Sequence, residues 1–281
     1  MDDNGAIFRL TTNGATPVAS FAGTNGAYPS ALAEGTNHVL YGITWGGGTS
    51  SQGTVFSLTT NGVLSSVLSF SDAATGSGPT GWVRGRDGNF YGTTVGGGAF
   101  SKGTVFRLTT GGELTLMALF DGTNGDAPRT LMEASDGYFY GTTAYGGVAA
   151  TNGASGYGTV FRMTRGGALC TIVSFGSDVW AGSLVEGNDG CLYGTTRSGG
   201  NSGSGSIYRL TVPPVLDSAA RTTDGDFAFN VSAMSNVSYS IEVSSNLVNW
   251  TVWTNVVSPG GGLRFSDALE SGSRFYRAVL Q

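Results

Sequence analysis

The stretch "DGNFYGTTVGGGAFSKGTVFRLTTGG", residues 87–112, recurs several times in the chain with few changes, and this repetition indicates the fold. Related stretches occupy residues 136–167 and 189–210, and a more diverged version occupies residues 37–62. Self-similarity at a period of about 50 residues is typical of β-propeller blades. The sequence therefore predicts an all-β repeat fold.

Three short anchors define the repeat. The first is Gly-Thr-Val-Phe-x-Leu and its variants, beginning at Gly5, Gly53, Gly103, Gly158 and Gly205. The second is Tyr-Gly-x-Thr, at Tyr41, Tyr91, Tyr140 and Tyr193. The third is an aromatic residue that ends a strand, at Phe21, Phe70, Phe120 and Phe175.

Each repeat divides into four short β-strand candidates. The first unit has "ALAEG" (31–35) as an inner strand, followed by a Tyr-Gly strand, a Val-Phe strand and an apolar fourth strand. Asp-Gly pairs such as Asp87-Gly88 are hairpin turn sequences and join the first two strands. Two hairpin signals in each unit exclude a parallel β-solenoid and favour four-stranded antiparallel blades around an axis.

Two arrangements of about four such blades are compatible with the sequence. In a closed ring, the strand Ile7–Leu10 pairs with the strand that ends at Thr196, and "GAIFRL" (5–10) then competes with "GSIYRL" (205–210) for one place. The alternative is an open arc. The units, for example "GTVFRLTTGGELTLMALFDGTNGDAP" with "DGYFYGTTAYGG", resemble the Gloeo/Verruco-type tandem repeat of bacterial proteins over residues 4–212. That resemblance implies a propeller-like, exported protein and no activity.

A second domain is expected after the repeats. Pro213-Pro214 interrupts the pattern and acts as a stiff linker between a repeat domain at 1–212 and a second domain at 213–281. Apolar residues then alternate with polar ones, as in Phe227, Phe229 and Val231, which predicts a small β-sandwich of about five strands. "YSIEVSSNLVNWTVWTN" with "RFYRAVL" is similar to fibronectin-type-III-like modules, and this resemblance implies a spacer or sorting role.

Composition excludes several functional classes. The net charge is -5 and Lys102 is the only lysine, so the basic surface that binds nucleic acid is missing. Apolar runs are far shorter than the ~20 residues of a membrane helix. Cys170 and Cys191 are too few for a disulfide framework or a zinc site, and their pairing is left open. Scarce lysine favours an extracellular or cell-surface protein, although "MDDNGAIFRL" contains no signal-peptide core.

Polar residues that suggest catalysis or metal binding have a simpler structural interpretation. His38, the only histidine, aligns with the turn glycines Gly88, Gly137 and Gly190. The turn residues Asp87, Asp136 and Asp189 begin hairpins. Glu34, Glu133 and Glu186 are the only paired-carboxylate candidates for a glycosidase. Asp121, Asn124 and Asp126 are weak calcium candidates without the spacing of a calcium loop. We therefore expect no catalytic residue, no resident metal and no cofactor.

Exposed aromatic residues suggest a ligand surface. Tyr28 and Trp180 align in the connection that enters the inner strand, and Trp45 and Tyr145 lie in the connection between the second and third strands. These connections emerge on one face of a propeller, where Arg197 is also expected, and aromatic rings there could stack on sugar rings. Trp82 aligns with Leu32, Leu131 and Leu184 and is expected in the core.

The sequence thus predicts a monomeric, exported, non-catalytic binding or adhesion module whose partner is a polysaccharide or another surface protein. A purely architectural repeat and a carbohydrate-active enzyme are the alternatives.

Overall fold

The computed structural model describes residues 4–72, 74–147, 156–176, 180–268 and 273–281. Its regular structure over these ranges consists of β-strands alone, without a helix, which confirms the all-β prediction. The described residues accordingly contain no helix with the length and apolarity to cross a membrane.

The repeats form antiparallel sheets in which strands adjacent in sequence are hydrogen-bonded neighbours. The first complete sheet consists of β3 (Ala27–Glu34), β4 (Leu40–Gly46), β5 (Thr54–Leu58) and β6 (Leu64–Ser69). The second consists of β7 (Ser77–Arg84), β8 (Phe90–Gly96), β9 (Thr104–Leu108) and β10 (Leu114–Leu119). The third consists of β11 (Asp126–Glu133), β12 (Phe139–Tyr145), β13 (Thr159–Met163) and β14 (Leu169–Ser174). The inner strands begin a few residues earlier than expected, because the chain stays extended through a proline-containing irregularity at Pro29, Pro79 and Pro128.

The register of each sheet explains the Tyr-Gly and Val-Phe anchors. The glycine of the second strand lies opposite the phenylalanine of the third, in the pairs Gly42–Phe56, Gly92–Phe106 and Gly141–Phe161. A Cβ atom on Gly42 would come within 2.4 Å of the Phe56 ring. The anchor glycine therefore leaves room for the ring to lie directly over the neighbouring strand.

Successive sheets pack face to face through matching hydrophobic clusters. One cluster joins Ile43 and Phe70 of the first sheet to Phe106 of the second, and an equivalent cluster joins Phe120 to Phe161. The phenylalanine after each fourth strand meets the third-strand ring of the next unit at centroid distances of 5.0, 5.1 and 5.1 Å, in the pairs Phe21–Phe56, Phe70–Phe106 and Phe120–Phe161. Each unit thus buries its core against its neighbours, as repeat proteins do.

The two ends of the repeat are incomplete. A hairpin of β1 (Ala6–Thr11) and β2 (Gly14–Ser20) precedes the first sheet, and β15 (Ala181–Glu186), β16 (Leu192–Thr196) and β17 (Ser206–Leu210) follow the third. The place for which "GAIFRL" and "GSIYRL" compete is occupied by β17, while β1 pairs with β2. Within the described residues, the ring-closing pairing of Ile7–Leu10 with the strand ending at Thr196 is therefore wrong.

Incompleteness also corrects one core prediction. Leu131 is buried, as expected, but its equivalent Leu32 is 45% exposed. The inner strand β7 packs against β3 and β4 of the preceding sheet, whereas β3 is preceded only by the two-stranded β1–β2 hairpin. Leu32 is exposed because no strand among the described residues packs over it as β3 and β4 pack over β7.

The chain divides into two compact units. One contains Met1–Glu133, Phe139–Leu184 and Thr195–Ser206, and the other contains Ala134–Tyr138, Val185–Gly194 and Ile207–Gln281. The domain boundary after residue 212 stays a prediction.

The end of the second unit has six strands rather than the expected five. They are β18 (Val215–Arg221), β19 (Phe227–Ala233), β20 (Ser238–Ser244), β21 (Thr251–Val257), β22 (Gly261–Asp267) and β23 (Phe275–Leu280). They form two three-stranded antiparallel sheets, in the orders β18-β19-β22 and β21-β20-β23. Alternation failed to predict all six because exposed residues dominate β18 and β21. One hydrophobic cluster built on Phe229, Val231 and Ile241 contains residues of both sheets.

Candidate functional site

The hairpin turns that contain His38 and the turn aspartates have a structural role. His38 has a φ of 59°, and its aligned glycines Gly88, Gly137 and Gly190 have φ values of 84°, 86° and 70°. This confirms His38 as a turn residue in the left-handed region, where histidine is one of the tolerated types. Its Nδ1 lies 2.9 Å from Oε1 of Glu34 on the surface.

Turn aspartates bind the tyrosine of the following Tyr-Gly anchor. The Tyr91 hydroxyl donates to Asp87 at 2.9 Å and the Tyr193 hydroxyl donates to Asp189 at 2.8 Å. Burial, and then the hydrogen bond to Asp87, raises the pKa of Tyr91 to about 12. In the first unit the direction is reversed, because the amide nitrogen of Asn37 donates to the Tyr41 hydroxyl at 3.2 Å. These aspartates therefore lock their own hairpins rather than hold a metal.

Two of the three inner-strand glutamates, Glu133 and Glu186, connect neighbouring repeats, whereas Glu34 lies beside His38 of its own hairpin. The carboxylate of Glu133 accepts the backbone N–H of Arg86 at 2.7 Å and pairs with the Arg165 guanidinium. Glu186 accepts the backbone N–H of Ser135 at 2.8 Å and also its hydroxyl. These contacts repeat from one turn to the next, which explains the glutamates without a hydrolytic reaction.

The weak calcium candidates do not converge on a common point. Asp121 Oδ1 accepts the backbone N–H groups of Thr123 and Asn124 at 2.8 and 3.0 Å, which closes its own turn. Asp126 instead forms an ion pair with Lys102 at 2.7 Å. Among the described residues, no group of three or more His, Cys, Asp or Glu side chains is arranged to hold a metal ion. Cys170 and Cys191 are both free thiols.

The predicted aromatic surface contains one direct contact. The rings of Tyr145 and Trp180 meet edge to face with centroids 5.3 Å apart, as the alignment suggests. Tyr28 and Trp45 are 60% and 54% exposed. The backbone N–H of Arg197 donates to the carbonyl of Trp180 at 2.8 Å, which fixes the Arg197 backbone beside this pair. The five residues remain a predicted ligand surface that the geometry assembles only in part.

A concave site with mostly apolar walls lies in the second unit. A cavity of about 420 Å³ opens beside strands β18, β19 and β23, within the range of about 300–1,000 Å³ that is typical of ligand pockets. Its walls are mostly apolar or aromatic, with a few polar groups: Leu216, Asp217, Ser218, Ala219, Phe227, Phe229, Leu247, Trp250, Arg274, Phe275 and Tyr276. Aromatic walls with a few polar groups are the usual composition of a site for a small organic molecule.

One side of this cavity is built by the loop after β20. The side-chain oxygen of Asn246 accepts the backbone N–H groups of Val248 and Asn249 at 3.0 and 2.9 Å, which folds the loop. The Trp250 indole N–H donates to the carbonyl of Leu247 at 3.2 Å. The Arg277 guanidinium lies 4.3 Å from the centre of the Trp250 ring, a cation–π contact. The loop thus presents Leu247 and a fixed indole ring to the cavity.

The opposite side carries a hydrogen-bonded charge cluster. Asp267 accepts hydrogen bonds from Arg274 and from the Tyr276 hydroxyl, both at 2.5 Å. Burial tends to raise the pKa of Asp267, but these two hydrogen bonds outweigh burial and hold the pKa below its usual value. Burial, and then the bond to Asp267, raises the pKa of Tyr276 to about 12. Around neutral pH, the cavity wall therefore contains a charged guanidinium and a neutral phenol.

Sequence analysis missed this cavity. Its aromatic residues come from "FAF" (227–229), "LVNW" (247–250) and "RFY" (274–276), which are far apart in the sequence and give no recognisable motif. Their convergence depends on the pairing of β19 with β22 and of β20 with β23.

Comparison with known proteins supports the repeat and the fold. The sequence profile of the Gloeobacter/Verrucomicrobia repeat matches residues 1–153 and 66–246. No curated protein matches the chain. A streptogramin B lyase structure is similar, with 15% identity and a TM-score of 0.50, and the match covers 99% of this chain and 87% of the lyase.

Two further solved structures are similar at lower scores. A putative oxidoreductase (glucose dehydrogenase) from Thermus thermophilus has 16% identity and a TM-score of 0.46 over 91% of this chain and 97% of its own. A putative 6-phosphogluconolactonase from Bacteroides uniformis has 15% identity and a TM-score of 0.47 over 95% of this chain and 82% of its own.

These matches correct the functional prediction. The predicted class, a non-catalytic exported binding or adhesion module, is contradicted, because the similar structure with a TM-score of 0.50 is described as a lyase. At such low identity the similarity establishes the fold alone and transfers no reaction to this chain.

Proposed function

The chain belongs to the Gloeobacter/Verrucomicrobia repeat family, and we propose that its function lies outside the repeat pattern. In this proposal the aromatic cavity of the second unit binds a small organic molecule. The observation that carries the proposal is the cavity of about 420 Å³, whose walls combine aromatic rings with Asp217, Ser218 and Arg274.

The chemistry of the walls defines the ligand class. Phe227, Trp250 and Tyr276 offer ring faces and edges, which favour a planar or ring-shaped apolar body. Arg274 is ion-paired with Asp267, and Arg277, which stacks on Trp250, is ion-paired with Glu242, so neither arginine adds an uncompensated charge. Asp217, Ser218 and Arg274 are nevertheless polar groups of the lining that can hydrogen-bond a substituent on that body. The expected ligand is therefore a planar apolar molecule with one polar, hydrogen-bonding substituent.

The finer architecture and location complete the proposal. In this proposal the four-stranded repeat sheets are propeller blades in an open arc, which the pairing of β1 with β2 and of β16 with β17 supports. The six C-terminal strands form a fibronectin-type-III-like sandwich around one shared cluster. The scarcity of lysine supports a location outside the cell or on its surface. A surface partner for the exposed aromatic residues Tyr28, Trp45, Tyr145 and Trp180 stays a prediction.

The test uses 8-anilinonaphthalene-1-sulfonate, a planar aromatic anion whose fluorescence rises in apolar sites. We expect the intact protein to bind this probe saturably at one site. The binding affinity should fall at least tenfold in Leu247→Ser and in Trp250→Ala. Val248→Ser is the matched control, because Val248 is the next residue, is 77% exposed and lies outside the cavity lining. Binding that is equal in all variants would reject the cavity as the site.

The same variants extend the test to natural ligands and to catalysis. Compounds of the proposed class are screened by the rise in melting temperature of the intact protein, and hits are retested on Leu247→Ser. A hit that is consumed by the intact protein and not by Leu247→Ser would place a reaction at the cavity. The proposed ligand class would be rejected if no compound raised the melting temperature of the intact protein more than that of Leu247→Ser.

A further inference from the structure

Phe8 in the first strand is exposed at a position that is fully buried in the three complete sheets. Its repeat equivalents Phe56, Phe106 and Phe161 are 0% exposed, whereas Phe8 is 57% exposed. An exposed apolar ring at a position that is buried in the complete sheets marks a surface that the described residues leave uncovered and that suits an interaction.

In the complete sheets the element that covers this position is a Tyr-Gly strand. In the complete sheets the phenylalanine ring covers the glycine of that strand, as Phe56 covers Gly42. Among the described residues, β1 pairs with β2 alone, so its other edge carries no strand. A groove of about 300 Å³ lies there, lined by Ala6–Phe8 and Pro29–Leu32.

The β1–β2 hairpin nevertheless makes the same backbone hydrogen bonds as a complete repeat unit. The backbone N–H groups of Phe21 and Tyr28 donate to Gly5 and Asn4 at 3.0 and 2.9 Å. The next interface has the same two bonds, from Phe70 to Gly53 and from Gly78 to Gln52, both at 2.9 Å. Because these hydrogen bonds are the same, the groove is the place where a preceding Tyr-Gly strand belongs.

The other end of the repeat offers that strand. Strand β16 carries Tyr193-Gly194 and is covered by β17, whose sequence from Gly205 to Thr211, "GSIYRLT", is nearly that of "GAIFRLT" from Gly5 to Thr11. Tyr208 takes the position of Phe8, since a Cβ on Gly194 would come within 2.1 Å of its ring.

Strand β17 is less buried and has fewer neighbouring strands than its equivalents in the complete sheets. Its Ile207 is 79% exposed, whereas Val55 and Val105 at the same position are 0% exposed. In the described sheet it has no fourth strand beside it. The connection before it, "GGNSGSG" (199–205), is rich in glycine and serine, so the strand can leave without straining the chain.

We propose that two copies of this chain associate head to tail by strand exchange, in which the β1–β2 hairpin of one copy replaces β17 of the other. Strand β16 then fills the groove, Phe8 covers Gly194, and β2 supplies the absent fourth strand. The hydrogen bonds broken between β16 and β17 are replaced by equivalent ones to β1, which is why such exchanges cost little. The apolar surfaces of Phe8 and Leu32 become buried.

The occupant is a second copy rather than the same chain. An intramolecular strand benefits from a high effective concentration whenever it can reach its site. In the structure β16 nevertheless pairs with β17 and β1 remains open, so the chain does not use its own hairpin. Since the two joining surfaces differ, the contact is heterologous and can continue beyond two copies.

A disulfide reports the exchange. Cys191 Sγ lies 3.7 Å from the Thr211 hydroxyl, and Thr11 is the repeat equivalent of Thr211. In the exchanged pair, Thr11 of one copy therefore stands beside Cys191 of the other. The variant Thr11→Cys is made with Cys170→Ser, which removes the exposed second thiol. Under mild oxidation at increasing protein concentration we expect covalent dimers and longer oligomers, with the linked peptides identified by mass spectrometry.

Three matched variants test the mechanism. Thr211→Cys should lock β17 in place through an intrachain link to Cys191 and reduce association at least tenfold. Phe8→Ser, combined with Thr11→Cys, should reduce the interchain link at least tenfold. Thr12→Cys, which shifts the thiol by one residue, should give little link.

The outcomes separate the alternatives. An interchain link between Thr11→Cys and Cys191 that rises with concentration supports the exchange. A link formed only within one chain would overturn the second copy in favour of self-closure. Absence of any link, or a yield unaffected by Phe8→Ser in a protein that still melts cooperatively, would overturn the exchange itself.

Discussion

The second repeat sheet and the terminal sheet β15–β17 carry the same anchors in different surroundings. Val105 of the second sheet is 0% exposed, while Ile207 at the same position of the terminal sheet is 79% exposed. Tyr91 is fully buried, whereas Tyr193 is only half-buried although both bind their turn aspartate. The anchor phrase therefore specifies the hairpins and their register, while the neighbouring units supply the burial.

The largest expected effect comes from removing the same ring at the two kinds of position. Phe106→Ala deletes a fully buried ring that contacts Phe70 and Trp82 and should lower the free energy of unfolding by about 3–5 kcal/mol. Phe8→Ala, at the exposed equivalent, should lower it by less than about 1 kcal/mol. Urea unfolding at low protein concentration, where copies do not associate, measures both. Equal losses would show that the contribution of the anchor phenylalanine to the free energy of unfolding does not depend on burial by the neighbouring sheets.

A smaller effect is expected from adding a methyl group to the glycines of the two regions. A Cβ on Gly92 would come within 2.4 Å of the Phe106 ring, so Gly92→Ala should cost about 1–3 kcal/mol. Gly14, in the terminal hairpin, has no atom within 4 Å of such a Cβ but has a φ of +116°. Gly14→Ala should therefore cost about 1 kcal/mol through backbone strain alone. The order would reverse if the ring could move aside without loss.

The turn aspartates predict that the free energy of unfolding depends on pH. The dependence should be stronger for Asp87 of the second sheet than for Asp189 of the terminal sheet. Burial tends to raise the pKa of Asp87, but hydrogen bonds from Asn89 and Tyr91 outweigh it and lower the pKa. A lowered carboxyl pKa contributes stability that is present above the ordinary value near 4 and is lost as the pH falls through the lowered pKa. Partial exposure screens this contribution, so we expect about 1 kcal/mol or less.

Asp87→Asn measures the contribution. The difference in unfolding free energy between the intact protein and this variant should be largest near neutral pH and should shrink below about pH 4. Asn37 already occupies this position in the first unit and binds Tyr41, so the variant should keep the hairpin. Asp189→Asn should show a weaker pH dependence because its tyrosine partner is less buried. A constant difference at all pH values would mean that the charge of Asp87 is irrelevant to stability.

The parts of this molecule that the sequence predicts are those that depend on local chemistry. The Asp-Gly turns, the positive φ of His38 and the order of the strands follow from residues close together in the chain. The burial of Leu32 was predicted wrongly, and the pairing of β1 was left open between two arrangements, because both depend on whether a distant strand lies alongside. The cavity beside Trp250 was missed for the same reason, since its walls come from strands joined only by sheet pairing.

The smallest effect is expected for an exposed ring on the predicted aromatic surface. Trp45 is 54% exposed and lies beside Gly78, so Trp45→Ala should change the free energy of unfolding by no more than about 0.5 kcal/mol. Trp82→Ala is the matched control, because the Trp82 ring stacks on Phe90 with centroids 5.0 Å apart and its indole N–H donates to the carbonyl of Tyr41 at 3.3 Å. That variant should cost about 3–5 kcal/mol. Denaturant unfolding of the two tryptophan variants side by side tests this directly. If Trp45→Ala destabilises as much as Trp82→Ala, the Trp45 ring is a packing residue, and its exposure does not mark a surface for a ligand.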